Sequence, residues 1–159
     1  MYKVKWLSRL NFEDERINFT PLILYVDYIH ILHREYLIEN YENLAPVDVT
    51  YLMNIFYNSN CSQKDLSELL FVSESNVTQI IKKLEKNGFI TRTPDEKNKS
   101  RKILNLTNEG KIMVFKLIKE MYEWEGEFFK DYPIEDVEKF KKMIYDYSQK
   151  TIDSLEQFK

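Results

Sequence analysis

The sequence predicts a mainly α-helical protein carrying one small β-hairpin, and three observations lead to that class. Glycine and proline are scarce, at 3 and 4 of 159 residues, while 31% of the residues are charged. That composition favours helices over a β-sandwich or a disordered chain. Residues 62–106, SQKDLSELLFVSESNVTQIIKKLEKNGFITRTPDEKNKSRKILNL, have the pattern of a short helix, a tight turn, a second helix and two short strands. Charge is also segregated. The chain carries −3 overall, yet residues 82–102 hold eight basic and three acidic side chains, a net +5.

Taken in order, residues 1–18 mix Trp6, Leu7, Leu10 and Phe12 with charges and are read as a short helix. Thr20-Pro21 is a helix start, a capping hydroxyl followed by proline at the first helical position. From Leu22 to about Asn40 the apolar residues cover most of the helix circumference, so the helix needs cover on nearly all sides. A second subunit is the natural cover. Pro46 opens a helix to Tyr57 with Leu52, Ile55 and Phe56 as its core face. Ser62, with Asp65 three residues on, caps the next helix in a capping box, and Leu66, Leu69 and Leu70 form its buried side. The step Phe71-Val72-Ser73 is too short for a loop and fits the turn of a helix-turn-helix, with Phe71 expected to pack locally.

Ser73 caps the second helix of that unit, in which Val77, Ile80, Ile81 and Leu84 make one apolar face. Gly88 ends it, because the left-handed conformation of such a stop is cheapest for glycine. Phe89–Thr93 and Lys102–Leu106 are β-prone, and the polar tip between them, Pro94–Arg101, makes the hairpin a wing. Thr107 caps a helix to about Lys130 with Ile112, Phe115, Ile118, Met121 and Tyr122 at helical spacing. Pro133 breaks it, and a last helix runs from Ile134 to about Phe158 with Val137, Phe140, Ile144, Tyr147, Ile152 and Leu155. The implied organisation is an arm and dimerisation helix over residues 1–45, a winged lobe over 46–107 and dimerisation helices over 108–159, as one intertwined domain.

The exposed side of the second helix carries the chemistry. Ser73, Ser75, Asn76, Thr78, Gln79, Lys82 and Lys83 can all donate to phosphates or base edges. Arg92, Lys97, Lys99 and Arg101 place cations along the wing. A solvated charged face is the plain alternative for any one of them, but the coincidence of basic charge and helix-turn-helix pattern favours double-stranded DNA for the set. Elsewhere the signals are weaker. The lone Cys61 precludes an intrachain disulfide and suits a reducing compartment. The N-terminus lacks a signal-peptide pattern and charges interrupt the apolar helix after Pro21, so a cytoplasmic protein without a membrane span is expected. His30 and His33 lie three apart but lack further ligands, and no metal or other cofactor is expected. No phosphate-binding glycine loop, zinc-protease motif or nucleophile elbow occurs, which points away from an enzyme.

This order of elements resembles the MarR family of transcriptional regulators, from about Pro21 to the C-terminus. The likeness rests on SQKDLSELLFVSESNVTQIIKKLEKNGFI, similar to the family's Thr-Gln-Lys-Glu-Leu start, Val-Ser turn and Leu-Glu-Lys-x-Gly end. It rests also on LTNEG at Leu106–Gly110 after the wing. The resemblance implies a homodimeric winged helix-turn-helix protein with N- and C-terminal dimerisation helices. It further implies a pseudo-palindromic operator and a repressor released by a small aromatic effector, with Tyr25, Tyr28 and Tyr51 as candidate lining of the effector pocket. Two departures concern the wing, where the family's aspartate and groove-reaching arginine positions hold Asn98 and Ser100. A third is Ala45, in place of the usual threonine cap. With the acidic total charge, the altered wing leaves one alternative, a winged-helix protein-interaction module without DNA binding.

Overall fold

The computed structural model describes residues 14–157, and the helix expected over residues 1–18 lies mostly outside them. The elements are α1 (Glu15–Asn18), α2 (Leu22–Asn40), α3 (Pro46–Tyr57), α4 (Gln63–Leu69), α5 (Glu74–Lys86), β1 (Ile90–Pro94), β2 (Lys102–Leu106), α6 (Asn108–Phe129) and α7 (Ile134–Gln157). The chain divides after Thr107 into two compact units.

In the first unit, α3, α4 and α5 pack with the hairpin around Leu52, Leu66, Val77, Ile81, Leu84, Ile90 and Leu104, all buried. The helix starts follow local chemistry. Ser62 accepts from the Asp65 N–H while the Asp65 carboxylate accepts from the Ser62 N–H at 2.7 Å, the reciprocal box the spacing predicts. Ser73 caps α5 by accepting from the Asn76 N–H. Ala45 has no hydroxyl to offer α3, and Asp48 reaches back instead to accept from the Ala45 N–H at 2.7 Å. At α2 the cap position falls on Pro21, one residue after the expected Thr20.

β1 and β2 pair antiparallel, with Ile90 opposite Leu106 and Pro94 opposite Lys102. A third segment joins this sheet at its base. The Leu104 N–H donates to the Cys61 carbonyl and Ser62 bridges to Ile103, which ties the start of α4 to the wing. No strand-like pattern marks Cys61-Ser62, so sequence periodicity had nothing to detect there.

Among the described residues, three turns take a left-handed backbone, the first at Asn60 (φ +64°) before α4. Gly88 takes φ +77° after α5, with its carbonyl accepting from the Thr107 hydroxyl at 2.6 Å. Phe71, expected to pack locally, takes φ +53° in the turn between α4 and α5 and is 71% exposed. The turn geometry places its side chain outward. Leu69, expected on the buried side of α4, is likewise exposed, and Leu66 with Ser67 takes that role. Along α2 only Leu37 is buried, while Leu22, Ile23, Leu24, Val26, Ile29 and Ile31 are exposed.

In the second unit, α6 and α7 are joined by an aromatic cluster. Phe129 lies 5.9 Å, ring to ring, from Phe140, and Phe128 stacks on Tyr132. Lys141 of α7 pairs with Glu125 of α6 at 2.9 Å. The expected α6 stripe of Ile112, Phe115 and Tyr122 is exposed, and its buried positions are Gly110, Val114 and Leu117. A helix with apolar residues on more than one face does not reveal from spacing which of them is covered. Among the described residues, no helix is long and apolar enough to cross a membrane.

Gly88→Ala is expected to destabilise the protein by about 1 kcal/mol through the left-handed backbone alone, since a Cβ there meets nothing within 4 Å. Urea denaturation with an unchanged slope is the check; a neutral substitution would mean the turn rearranges freely.

Candidate nucleic-acid interface

The α5 sequence separates into faces by arithmetic. At roughly 100° per residue, Val77, Ile81 and Leu84 fall on one side, and Ser75, Gln79, Lys82 and Lys86 fall within roughly 60° of one another on the opposite side. The structure buries the first set and exposes the second. Lys86 was not among the residues singled out from sequence, although its place in the stripe and its charge were both legible there. Ser75 shares a 3.0 Å hydrogen bond with Ser73 at the start of the stripe. Thr78 borders it, donates back to the Glu74 carbonyl at 2.8 Å and accepts from Gln63 of α4.

Lys83 and Asn76, seven residues apart and so on one side of α5, are both engaged by α3. The Lys83 ammonium lies 2.5 Å from Oδ2 of Asp48, a carboxylate with no exposure to solvent. Asp48 Oδ1 is buried too, without a hydrogen-bond partner. One turn along α3, the Tyr51 hydroxyl donates to Oδ1 of Asn76 at 3.2 Å. Burial pushes the Tyr51 phenol upward from its ordinary pKa. Two of the expected contact residues are therefore also packing partners of α3, a role that helical spacing within α5 could not show.

The wing arginines are paired in the same way. Arg92 binds Glu85 of α5 through both ends of its guanidinium. Arg101 reaches Asp95 at 2.7 Å, Asp65 at 2.6 Å and the Asn60 carbonyl at 3.0 Å, stapling the wing to the start of α4. These contacts set the carboxyls. Partial burial works to raise Asp65, but the Ser62 N–H and Arg101 outweigh it and hold the group below the usual carboxylate range. The Lys97 N–H and Arg101 do the same for Asp95, and Arg92 for Glu85. At the tip, Asn98 accepts from both the N–H and the hydroxyl of Ser100, so the two departures from the family pattern hold a turn together. Among the described residues Lys82, Lys86, Lys97, Lys99 and Lys102 are exposed and carry no ion pair.

Tyr25, Tyr28 and Tyr51 are the tyrosines that the resemblance offers as lining of an effector pocket. The Tyr25 hydroxyl donates to the Ile17 carbonyl at 2.7 Å, and Tyr51 is turned to Asn76. A cleft of about 550 Å³ is lined by Ile38, Tyr41, Leu44, Pro46, Lys83 and Asn87 among others. His33 has its pKa lowered by burial and then by His30, and among the described residues no three His, Cys, Asp or Glu side chains form a metal-binding group. Burial also raises the Cys61 thiol, which disfavours a reactive thiolate.

Lys83→Met is expected to cost about 2 kcal/mol in urea denaturation, because it leaves a buried carboxylate uncompensated while solvent still reaches the site of the lysine, itself 44% exposed. A neutral result would show that Asp48 is compensated some other way. Arg101→Met is expected to lower Tm at neutral pH. A carboxyl held below its unfolded value contributes stability above that value and loses it as pH falls through the folded one. The Tm gap should therefore persist above about pH 4 and close below it; a gap independent of pH would remove the ionic explanation.

Comparison with known proteins places these elements. The sequence model of the MarR family matches residues 44–102, from the end of the α2–α3 loop to the start of β2. YybA of Bacillus subtilis, described as an uncharacterised HTH-type transcriptional regulator, is 43% identical over 61 residues. That match covers 38% of this chain and 41% of YybA, so the chain spans about two fifths of the length of that relative. The crystal structure of MarR superposes with a TM-score of 0.73 at 25% identity, covering 84% of this chain and 92% of that one. Streptococcus pneumoniae FabT, solved in complex with DNA, shares the fold with a TM-score of 0.70 at 16% identity, over 83% of this chain and 93% of FabT. Residues 44–102 thus match the MarR family model, and the chain shares its fold with the crystal structure of MarR.

Proposed function

We propose that the chain is a sequence-specific double-stranded DNA-binding transcriptional regulator acting as a homodimer. The observation that carries this reading is the exposed stripe Ser75, Gln79, Lys82 and Lys86 on α5, diametrically opposite the buried face and accompanied by the uncompensated wing lysines Lys97 and Lys99. A helix with that face enters the major groove, where Gln79 meets base edges and the lysines meet phosphates. FabT, which shares this fold, is solved in complex with DNA, and that supports DNA as the partner.

The exposed apolar side chains of α2 support a second copy as cover, with α6 and α7 completing the dimerisation helices. Two-fold symmetry then calls for a pseudo-palindromic operator with half-sites about one helical turn (~34 Å) apart. Regulation follows from that spacing. A small aromatic effector that favours a different separation of the two winged lobes releases the DNA, and a repressor is thereby relieved.

One observation favours the second reading, a protein-interaction module: Lys83, Arg92 and Arg101 all face carboxylates, which lowers the free positive charge of the lobe. Gel shifts on the DNA upstream of the protein's own coding sequence, between 50 and 200 mM salt, separate the two. Lys82→Ala and Lys86→Ala are each expected to flatten the salt dependence by about one unit per protomer, and Lys83→Ala to leave it unchanged. Weak binding with no salt dependence, or a protein that sediments as a monomer at micromolar concentration, would overturn the regulator reading.

A further inference from the structure

We propose that Tyr51 decides which end of the Asn76 amide is offered to DNA, and thereby makes Asn76 a reader of hydrogen-bond acceptors that discriminates against adenine. The inference rests on the DNA-binding reading above and adds a specificity-determining residue outside the recognition helix.

An asparagine recognises adenine by using both ends of its amide, with Oδ1 accepting from the base N6 amino group and Nδ2 donating to N7. In this protein Oδ1 is already engaged, since the Tyr51 hydroxyl donates to it at 3.2 Å. The phenol cannot readily follow the amide outward. Tyr51 is 2% exposed and sits on α3 beside the buried Leu52, and moving its ring would open the core. A flipped amide could still donate to the phenol oxygen, but the hydroxyl proton of the buried Tyr51 would then lose its acceptor, so the amide keeps its oxygen towards α3 and leaves its NH₂ group as the available end. Guanine O6 and N7 and thymine O4 answer to a donor, whereas adenine answers to it only at N7 and loses the second bond.

A rotation of α5 about its axis could in principle restore the amide. The second contact between the same helices opposes it. Asp48 and Tyr51 lie three apart on α3, and Lys83 and Asn76 lie seven apart on α5. Each pair falls on one side of its helix, so α3 holds α5 about two turns apart along its length. Turning α5 to release Asn76 would also pull Lys83 away from a buried carboxylate, which strongly opposes the motion. Tyr51 is thus a positioning residue acting through Asn76, and Asp48 keeps the register in which it acts.

The test is selection of binding sites from random duplex DNA by the full chain and three variants. Asn76→Ala identifies the operator position that depends on this side chain, as the one whose preference is lost. Wild-type protein is expected to exclude adenine there. Tyr51→Phe, which keeps the buried ring, frees Oδ1 and is expected to raise adenine at that position roughly tenfold, the scale of one good bidentate contact, with the salt dependence unchanged. Asn76→Asp keeps an acceptor for Tyr51 and removes the donor, so it is expected to shift that position towards cytosine, whose N4 amino group donates. This second variant does not depend on the core substitution folding. Adenine at the Asn76-dependent position in the wild-type motif overturns the proposal, as does a Tyr51→Phe motif identical to wild type. An Asn76→Ala motif without change, the result expected if Asn76 meets only a phosphate, also overturns it. If the wild-type chain retains no DNA, the regulator reading fails and this inference with it. Retention with an unaltered Tyr51→Phe motif removes the inference alone.

Discussion

A buried carboxylate governs the arrangement of this lobe. Asp48 has no exposure, and a charge in that setting persists only where cations and donors surround it. Its Oδ2 takes the Ala45 N–H at the start of α3 and the Lys83 ammonium of α5 at once. One side chain therefore closes a helix terminus, replaces the missing hydroxyl cap and fixes where α5 lies against α3. With Lys83 held by Asp48 and Val77, Ile81 and Leu84 buried, the side of α5 left to solvent is the stripe of Ser75, Gln79, Lys82 and Lys86. The proposed interface is exposed as a consequence of what is held beneath it.

The same rule redistributes the positive charge of residues 82–102. Of eight basic side chains, Lys83, Arg92 and Arg101 are spent on carboxylates within the lobe, and Lys82, Lys86, Lys97, Lys99 and Lys102 face outward. Arginine is suited to the internal role, because its planar fork binds two acceptors at once. Arg101 does this between Asp65 and Asp95, tying the wing to the capping box of α4, and Arg92 does it on Glu85. Lysine, a compact and strongly hydrated charge, remains for the surface. A DNA phosphate would accordingly meet lysines rather than the arginines that a count of charge brings first to mind.

Apolar surface is the unfinished part of the single chain. α2 runs for 19 residues with only Leu37 buried, while bulky side chains from Leu22 to Ile31 meet solvent. Exposed apolar area of that extent favours association, since covering it removes it from water. The homodimer proposed above supplies such a cover without a further element of the chain. It would also make the separation of two recognition helices a property of the pair, which is where an effector would act.

Much of the fold was legible along the chain. Helical spacing marked α2 to α7 within a residue or two, Ser62 and Asp65 marked a capping box, and Gly88 marked a left-handed stop, because each depends on residues within a few positions of one another. The exposed stripe of α5 was legible for the same reason, with Lys86 overlooked rather than hidden. Turn geometry was less so: that Phe71 would adopt φ +53° and point outward, and that Leu69 would follow it, depended on how α4 and α5 dock. Tyr51 lies 25 residues from Asn76, Asp48 35 from Lys83 and Asp65 36 from Arg101, and local periodicity carries no information about such distances. The sequence by itself thus determined which segments are helices and strands and which face of each is apolar, since those follow from short-range sterics and burial. Tertiary structure alone decided which of the polar residues are held from behind and which remain for a ligand, because only packing brings a buried carboxylate to a distant cation.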